Sequence, residues 1–214
     1  MTSFFLRFFF VISFFVPAYA SAQVAATVEG VQTPAWVERE GKRTPLGPGM
    51  ELRTGDQVIT GAGSRIAIKL SEGSLVKLGE NGTLRFTELS ARREVFKAVI
   101  NVLQGAFRFT TDVAQKARKR EVSIGVSQVV AGIRGTDLWG KSMAERQILC
   151  LIEGRIEISV PGEPALTLDQ PRQFYRREGG KALPVGYVEP KQIAEWAREV
   201  DIEPGKGVTR AKGK

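Results

Sequence analysis

The chain contains no histidine and only one cysteine, Cys150. Without imidazole, Ser-His-Asp and Cys-His catalysis, histidine general bases and histidine metal sites are all excluded. A lone thiol forms no internal disulfide and cannot build a tetrahedral thiolate zinc site. Cys150 lies in the run Ile148-Leu149-Cys150-Leu151-Ile152, which reads as a buried strand, so it is expected to serve as a small core residue. No signature of a cofactor site is present, and none is expected to be bound. Long apolar runs are missing too. The longest, counted generously from Phe4 to Val16, falls short of the roughly 18–20 residues that span a bilayer.

That short run has a different reading. Arg7 precedes an apolar stretch from Phe8 to Val16, followed by Pro17 and the small residues Ala18, Ala20 and Ala22. A basic start, a short apolar middle and an A-x-A site are the parts of a secretory signal peptide. Two cleavage frames fit, Ala18-Tyr19-Ala20 and Ala20-Ser21-Ala22, and the second is favoured, making Gln23 the first mature residue. Segment 1–22 is therefore expected to be removed, leaving no stable membrane anchor. The mature protein is expected in the periplasm, with secretion beyond the outer membrane left open.

The net charge of +8 is unevenly placed. Removing Arg7 with the leader leaves +7. Lys116, Arg118, Lys119 and Arg120 supply four positive charges, and Lys206, Arg210, Lys212 and Lys214 four more, so the rest of the mature chain sums to −1. Two basic segments on a nearly neutral body are unlike a nucleic-acid-binding face, and no nucleic acid partner is expected.

What the mature chain has is strand patterning. Ile66, Ile68 and Leu70 alternate with Ala67 and Lys69; Leu84 and Phe86 flank Arg85; Phe107 and Phe109 flank Arg108; Ile156, Ile158 and Val160 alternate with Glu157 and Ser159. Such alternation sends one set of side chains into a core and the other into water. A small unit of glycine, any residue, apolar, charged, apolar recurs from Gly82, Gly105 and Gly154, each preceded by a polar residue. Asn81-Gly82 predicts a type I′ hairpin turn, in which both residues take positive φ. The uneven spacing of the units predicts an all-β sandwich, roll or irregular solenoid-like coil over 23–185, with no fixed repeat.

Two segments break the rhythm. Asp112 to Arg120 is polar and basic and reads as a loop or a turn or two of helix. Pro190 opens a stretch in which Ile193, Trp196, Ala197 and Val200 recur at helical spacing. Proline suits the first helical position, so a short amphipathic helix is expected over Lys191 to Val200, within an extension spanning 186–203. The segment 204–214 is expected to be a basic mobile tail.

Three stretches, taken in order, resemble the FecR domain of Gram-negative envelope proteins. The first is Leu52-Arg-Thr-Gly55-Asp56-Gln-Val58-Ile-Thr60-Gly61, followed by Ser64 to Leu70 and the turn Glu72-Gly73-Ser74. The second is Val129-Val-Ala-Gly-Ile-Arg134-Gly135-Thr136-Asp137-Leu, and the third is Leu151-Ile-Glu153-Gly154-Arg-Ile-Glu-Ile158. The resemblance implies a FecR-type β domain over roughly Gly47 to Val160. Full FecR regulators carry a cytoplasmic segment and a transmembrane helix that let them act on a sigma factor. This chain has a signal-like segment in that place, so sigma-factor regulation by this polypeptide alone is not expected.

The motif residues themselves read first as structural. Gly55-Asp56 suits a tight turn in which the Asp side chain bonds a nearby backbone N–H. Gly73 and Gly154 belong to turns, Gly135 allows positive φ or close approach, Thr136 favours a strand, and Arg134 can pair with Asp137 or Glu153. Three functions follow in order of preference. The first is a non-catalytic module binding an envelope protein. The second binds glycan or another anionic surface through Lys116, Arg118, Lys119, Arg120 and a tryptophan such as Trp196, with Trp36 and Trp139 as further stacking faces. The least favoured is a hydrolase using two of Asp56, Glu72, Asp137 and Glu153, which would need to face one cleft about 5–10 Å apart.

Overall fold

In the computed structural model the described residues are 23–92, 94–111, 119–203 and 208–210. The expected leader, 1–22, lies outside them. The first strands are β1 (Ala26–Gln32), β2 (Ala35–Arg39), β3 (Lys42–Pro45), β4 (Glu51–Leu52), β5 (Gln57–Thr60), β6 (Arg65–Leu70), β7 (Leu75–Leu78) and β8 (Thr83–Ala91). The middle of the chain forms β9 (Val95–Thr110), β10 (Lys119–Val126), β11 (Val129–Ser142) and β12 (Arg146–Ser159). Shorter elements finish it: β13 (Leu166–Leu168), β14 (Gln173–Glu178), β15 (Lys181–Ala182), β16 (Gly186–Tyr187), helix α1 (Pro190–Val200) and β17 (Val208–Arg210). The all-β class with one short C-terminal helix is what the residues form. Hydrogen bonds join all the strands into one mixed sheet, in which β10 alone among the described strands pairs in parallel, with β9.

The sheet bends at three glycines. In β9 the side chains that face the main core are Phe96, Ala98, Ile100 and Val102 before Gly105, but Phe107 and Phe109 after it. In β11 they are Val129, Ala131 and Ile133 before Gly135 and Leu138 beyond. In β12 they are Leu149 and Leu151 before Gly154 and Ile156 and Ile158 after. One extra residue in a strand of period two switches which set of side chains faces the core. The three glycines carry the switch at φ of +93°, +62° and +90°. Gly154 therefore does not form the turn expected of it; like Gly105, it bends a long strand. Positive φ serves a bulge as well as a turn, and local sequence does not distinguish the two.

Because of these bends the long strands contribute to two layers. One layer holds β1, β6, β7, the C-terminal halves of β9 and β11, the N-terminal half of β12, and β14. The other holds β3, β2, β5, β8, the N-terminal half of β9, β10, the N-terminal half of β11, the C-terminal half of β12, and β13. Side chains from both meet in one continuous core that includes Phe86, Phe96, Ile100, Phe107, Phe109, Ile124, Leu138 and Leu151.

The opposite face of the first layer is also apolar, and α1 covers it. Ala106, Trp139, Cys150, Val188 and Val200 are buried there together, with Ile148, Ile193 and Trp196 packed against them. The helix begins at Pro190, one residue before the expected Lys191, and polar contacts fasten it. Lys141 pairs with Glu199 at 2.7 Å, and Lys77 with Asp201 at 2.6 Å. The Arg65 guanidinium donates to the Arg198 carbonyl at 3.2 Å.

Four expectations need correction. Lys119 and Arg120 open β10 rather than ending a loop or helical turn; 112–118 lie outside the described residues. Part of the expected mobile tail is ordered, since Val208–Arg210 pairs antiparallel with Gly30, Val31 and Gln32. Three residues are too few to show periodicity, and it is the free edge of β1 that organises them. Strand pairing also runs past residue 185, because β16 pairs with β14. Finally, Asn81 takes φ +49° but Gly82 does not enter the left-handed region, so the turn is not type I′. Gly82 is needed for closeness instead: a Cβ there would stand 2.8 Å from Leu78.

Candidate interaction face

The motif residues sort first into supports of the fold. Gly55 takes φ +92°, and Asp56, 1% exposed, turns back so that the Arg53 N–H donates to its Oδ2 at 2.8 Å. The Arg39 guanidinium forks onto both Asp56 oxygens at 2.7 Å, and this bond raises the arginine above its ordinary value. Gly73 takes φ +103° in a turn closed by the Ser74 N–H, which donates to buried Glu72. Thr136 is buried in β11; its hydroxyl donates to the Arg155 carbonyl and its N–H donates to the Thr111 hydroxyl. Gly154 crosses so close to β11 that a Cβ would lie 2.2 Å from the Gly135 carbonyl oxygen.

Arg134 does not make the pairing expected of it. Asp137 is taken by Arg108, whose guanidinium forks onto the two carboxylate oxygens at 2.9 and 2.6 Å and is raised above its ordinary value by that bond. The bend at Gly135 is the reason. It turns Asp137 toward the C-terminal half of β9 and leaves Arg134 on the outer face of the second layer.

Among the described residues nothing covers that outer face. Across it runs a row of charges set by strand register: Lys97 of β9 faces Glu121 of β10, and Arg134 of β11 faces Arg155 of β12. Extending the Val122–Ile133 pairing by one residue puts Glu121 level with Arg134. Glu121 already holds Lys97 at 3.0 Å and Lys119 at 3.2 Å. Lys97 is raised above its ordinary value, first by its hydrogen bond to Glu121, and the Glu121 carboxyl is lowered, first by Lys97 and then by Lys119. Beside this row a second one is made of small residues, Val99, Ser123 and Gly132, with Glu157 at its end. Together they form a trough of about 1220 Å³.

Of the residues singled out for anionic contact, Lys119 and Arg120 line this trough, as do Arg134 and Gly135. Lys116 and Arg118 lie outside the described residues. Trp196 is elsewhere. It stacks on Trp139 under α1, and the Trp139 ring N–H donates to the Trp196 carbonyl at 3.1 Å. Trp36 carries the Arg43 guanidinium 5.8 Å from its ring centre.

Sequence reasoning missed Arg155 and Lys97. Arg155 follows Gly154 in the recurring unit, at the position that varies freely, so nothing local marks it; its importance comes from facing Arg134. A second groove, about 650 Å³, lies between α1 and the β9 bend, where Lys141 is already paired with Glu199. Among the described residues no group of three or more Cys, Asp or Glu side chains comes together to hold a metal ion.

Residues 56–157 match the family model described as FecR protein. No match was found among the curated proteins. Two solved structures share the fold, both titled as a "putative anti-sigma factor" from Parabacteroides distasonis ATCC 8503, at 1.65 and 2.50 Å resolution. They superpose with TM-scores of 0.54 and 0.53, each at 16% identity and covering 66% of this chain. The chain spans 64% and 63% of their lengths.

Proposed function

This chain belongs to the FecR domain family, and from that premise we propose that it is a non-catalytic protein-interaction module of the bacterial cell envelope. The observation that carries the reading is the asymmetry of the two layers. α1 seals the outer face of the first, while among the described residues the outer face of the second is uncovered, polar and charged beside the Arg134-Gly135-Thr136 motif. The acidic residues that a hydrolase would need support the same reading, because Asp56 and Asp137 are each held by an arginine fork. Such pairs fix loops and strands. The likeness to structures titled as anti-sigma factors adds envelope signalling as the direction in which to look for a partner.

Export through segment 1–22 belongs to this reading. N-terminal sequencing of the protein from an osmotic-shock fraction is expected to begin at Gln23. An intact Met1 in that protein would remove the cleavage proposal, and absence of the protein from that fraction would remove the export proposal.

The test of function is crosslinking of a tagged form in cells, followed by identification of what co-purifies. One dominant envelope protein is the expected result. Recovery with glycan alone, lost at high salt, would replace the reading with glycan binding. That alternative has lost two of its three stacking faces to each other, since Trp139 and Trp196 form an internal pair.

A further inference from the structure

Arg134 and Arg155 face each other directly across β11 and β12, and both are exposed. Like charges placed directly opposite on one sheet face destabilise it. Two compensations are usual, an intervening carboxylate or a shared ion pair, and this pair has neither. Among the described residues neither guanidinium makes an ion pair or a hydrogen bond. Glu121, the nearest acid by register, is already engaged by Lys97 and Lys119. Glu157 sits one outward position along β12, opposite Gly132.

The surroundings point to a ligand. Among the described residues five cationic side chains line the trough against three acidic ones. Its floor of Val99, Ser123 and Gly132 is low enough for an extended chain to lie along it, and Val130, 42% exposed, offers an apolar contact. Among the described residues no aromatic side chain lines it, so they offer none of the stacking on which sugar recognition commonly depends. Guanidinium groups, by contrast, match a carboxylate with two parallel N–H···O bonds.

We propose that Arg134 and Arg155 form a carboxylate clamp that binds an acidic segment of a partner protein lying along this trough. The clamp deepens the interaction-module reading and rests on it. A bound Asp or Glu removes the repulsion between the two arginines, so binding relieves a cost that the free protein carries.

The test uses the purified protein and a fluorescein-labelled oligo-glutamate peptide, with oligo-glutamine and polygalacturonate for comparison. Wild type is expected to bind oligo-glutamate, with affinity falling as salt rises. Either Arg134→Gln or Arg155→Gln is expected to weaken binding about tenfold, and the double variant to abolish it. Because repulsion is relieved, neither single change is expected to lower the melting temperature, which separates lost binding from lost folding. Equal binding of oligo-glutamate by wild type and the double variant would overturn the clamp, as would preference for polygalacturonate. In cells, a partner crosslinked equally by wild type and double variant would also overturn the clamp while leaving the interaction-module reading intact. A partner lost only from the double variant would support both.

Discussion

Trp196 on α1 lies face to face with Trp139 on β11, with ring centroids 4.2 Å apart and planes 3° from parallel. Trp139 is 1% exposed, and its ring N–H finds its acceptor on the helix backbone. The outer face of the first layer is thus a second small core, and the helix is its lid.

Trp196→Ala is expected to loosen that lid. Truncating a large aromatic in a core costs about 3–5 kcal/mol, and half-burial of Trp196 places the loss at the low end. Chemical unfolding measures the loss, and near-ultraviolet circular dichroism follows the stacked pair. An unchanged midpoint would mean that the ion pairs Lys141–Glu199 and Lys77–Asp201 hold the helix unaided.

Cys150 lies under the same lid, and burial, with the Asp137 charge as a smaller cause, pushes its thiol up to about 12. In the unfolded chain the thiol ionises near about 8.5. The folded state then keeps a proton that the unfolded state has lost. Stability from this source is full below about pH 8.5 and falls as the pH rises toward 12. Cys150→Ala is expected to lose less stability than wild type between pH 9 and pH 11. Parallel stability curves for the two would refute this.

Breaking the Arg39–Asp56 fork is expected to cost more than a surface ion pair, because Asp56 is 1% exposed although the Arg39 side chain is 36% exposed. Removing one partner of a buried pair costs about 3–5 kcal/mol, and the exposure of the arginine favours the lower figure for Asp56→Ala. A urea-measured loss below about 1 kcal/mol would class the pair with ordinary surface bridges.

Gly154→Ala and Gly162→Ala offer a matched comparison. Both glycines hold positive φ, +90° and +80°, but only at Gly154 would the new Cβ meet the backbone, 2.2 Å from the Gly135 oxygen. Gly162→Ala is expected to cost about 1 kcal/mol, the left-handed strain alone. Gly154→Ala is expected to cost at least about 3 kcal/mol or prevent folding, because β11 and β12 cannot separate without breaking their ladder. Equal melting temperatures for the two variants would show that the bend tolerates a side chain.

The strands were legible wherever alternation ran unbroken, as in Ile66-Ala67-Ile68-Lys69-Leu70, and the helix was legible from Pro190 and the spacing of Ile193, Trp196 and Val200. The Asp56 turn was legible as well, because a side chain three residues from its N–H donor is a local event. The partners of Arg134 and Asp137 were not. They are nearly adjacent in sequence, yet the residue inserted at Gly135 sends them to different layers. Trp196 had two readings in sequence, surface ring or core ring, and only the position of Trp139 decides between them.

The amino-acid sequence by itself determined the exclusion of histidine chemistry, the all-β class, the C-terminal helix and the family motifs, because composition and short-range periodicity act within a few residues. Tertiary structure decided which glycines turn the chain and which bend it, which arginine takes Asp137, and that Arg134 and Arg155 stand opposite one another. Those outcomes depend on register between strands, and a one-residue shift in register, which no single strand encodes, moves every side chain to the other face.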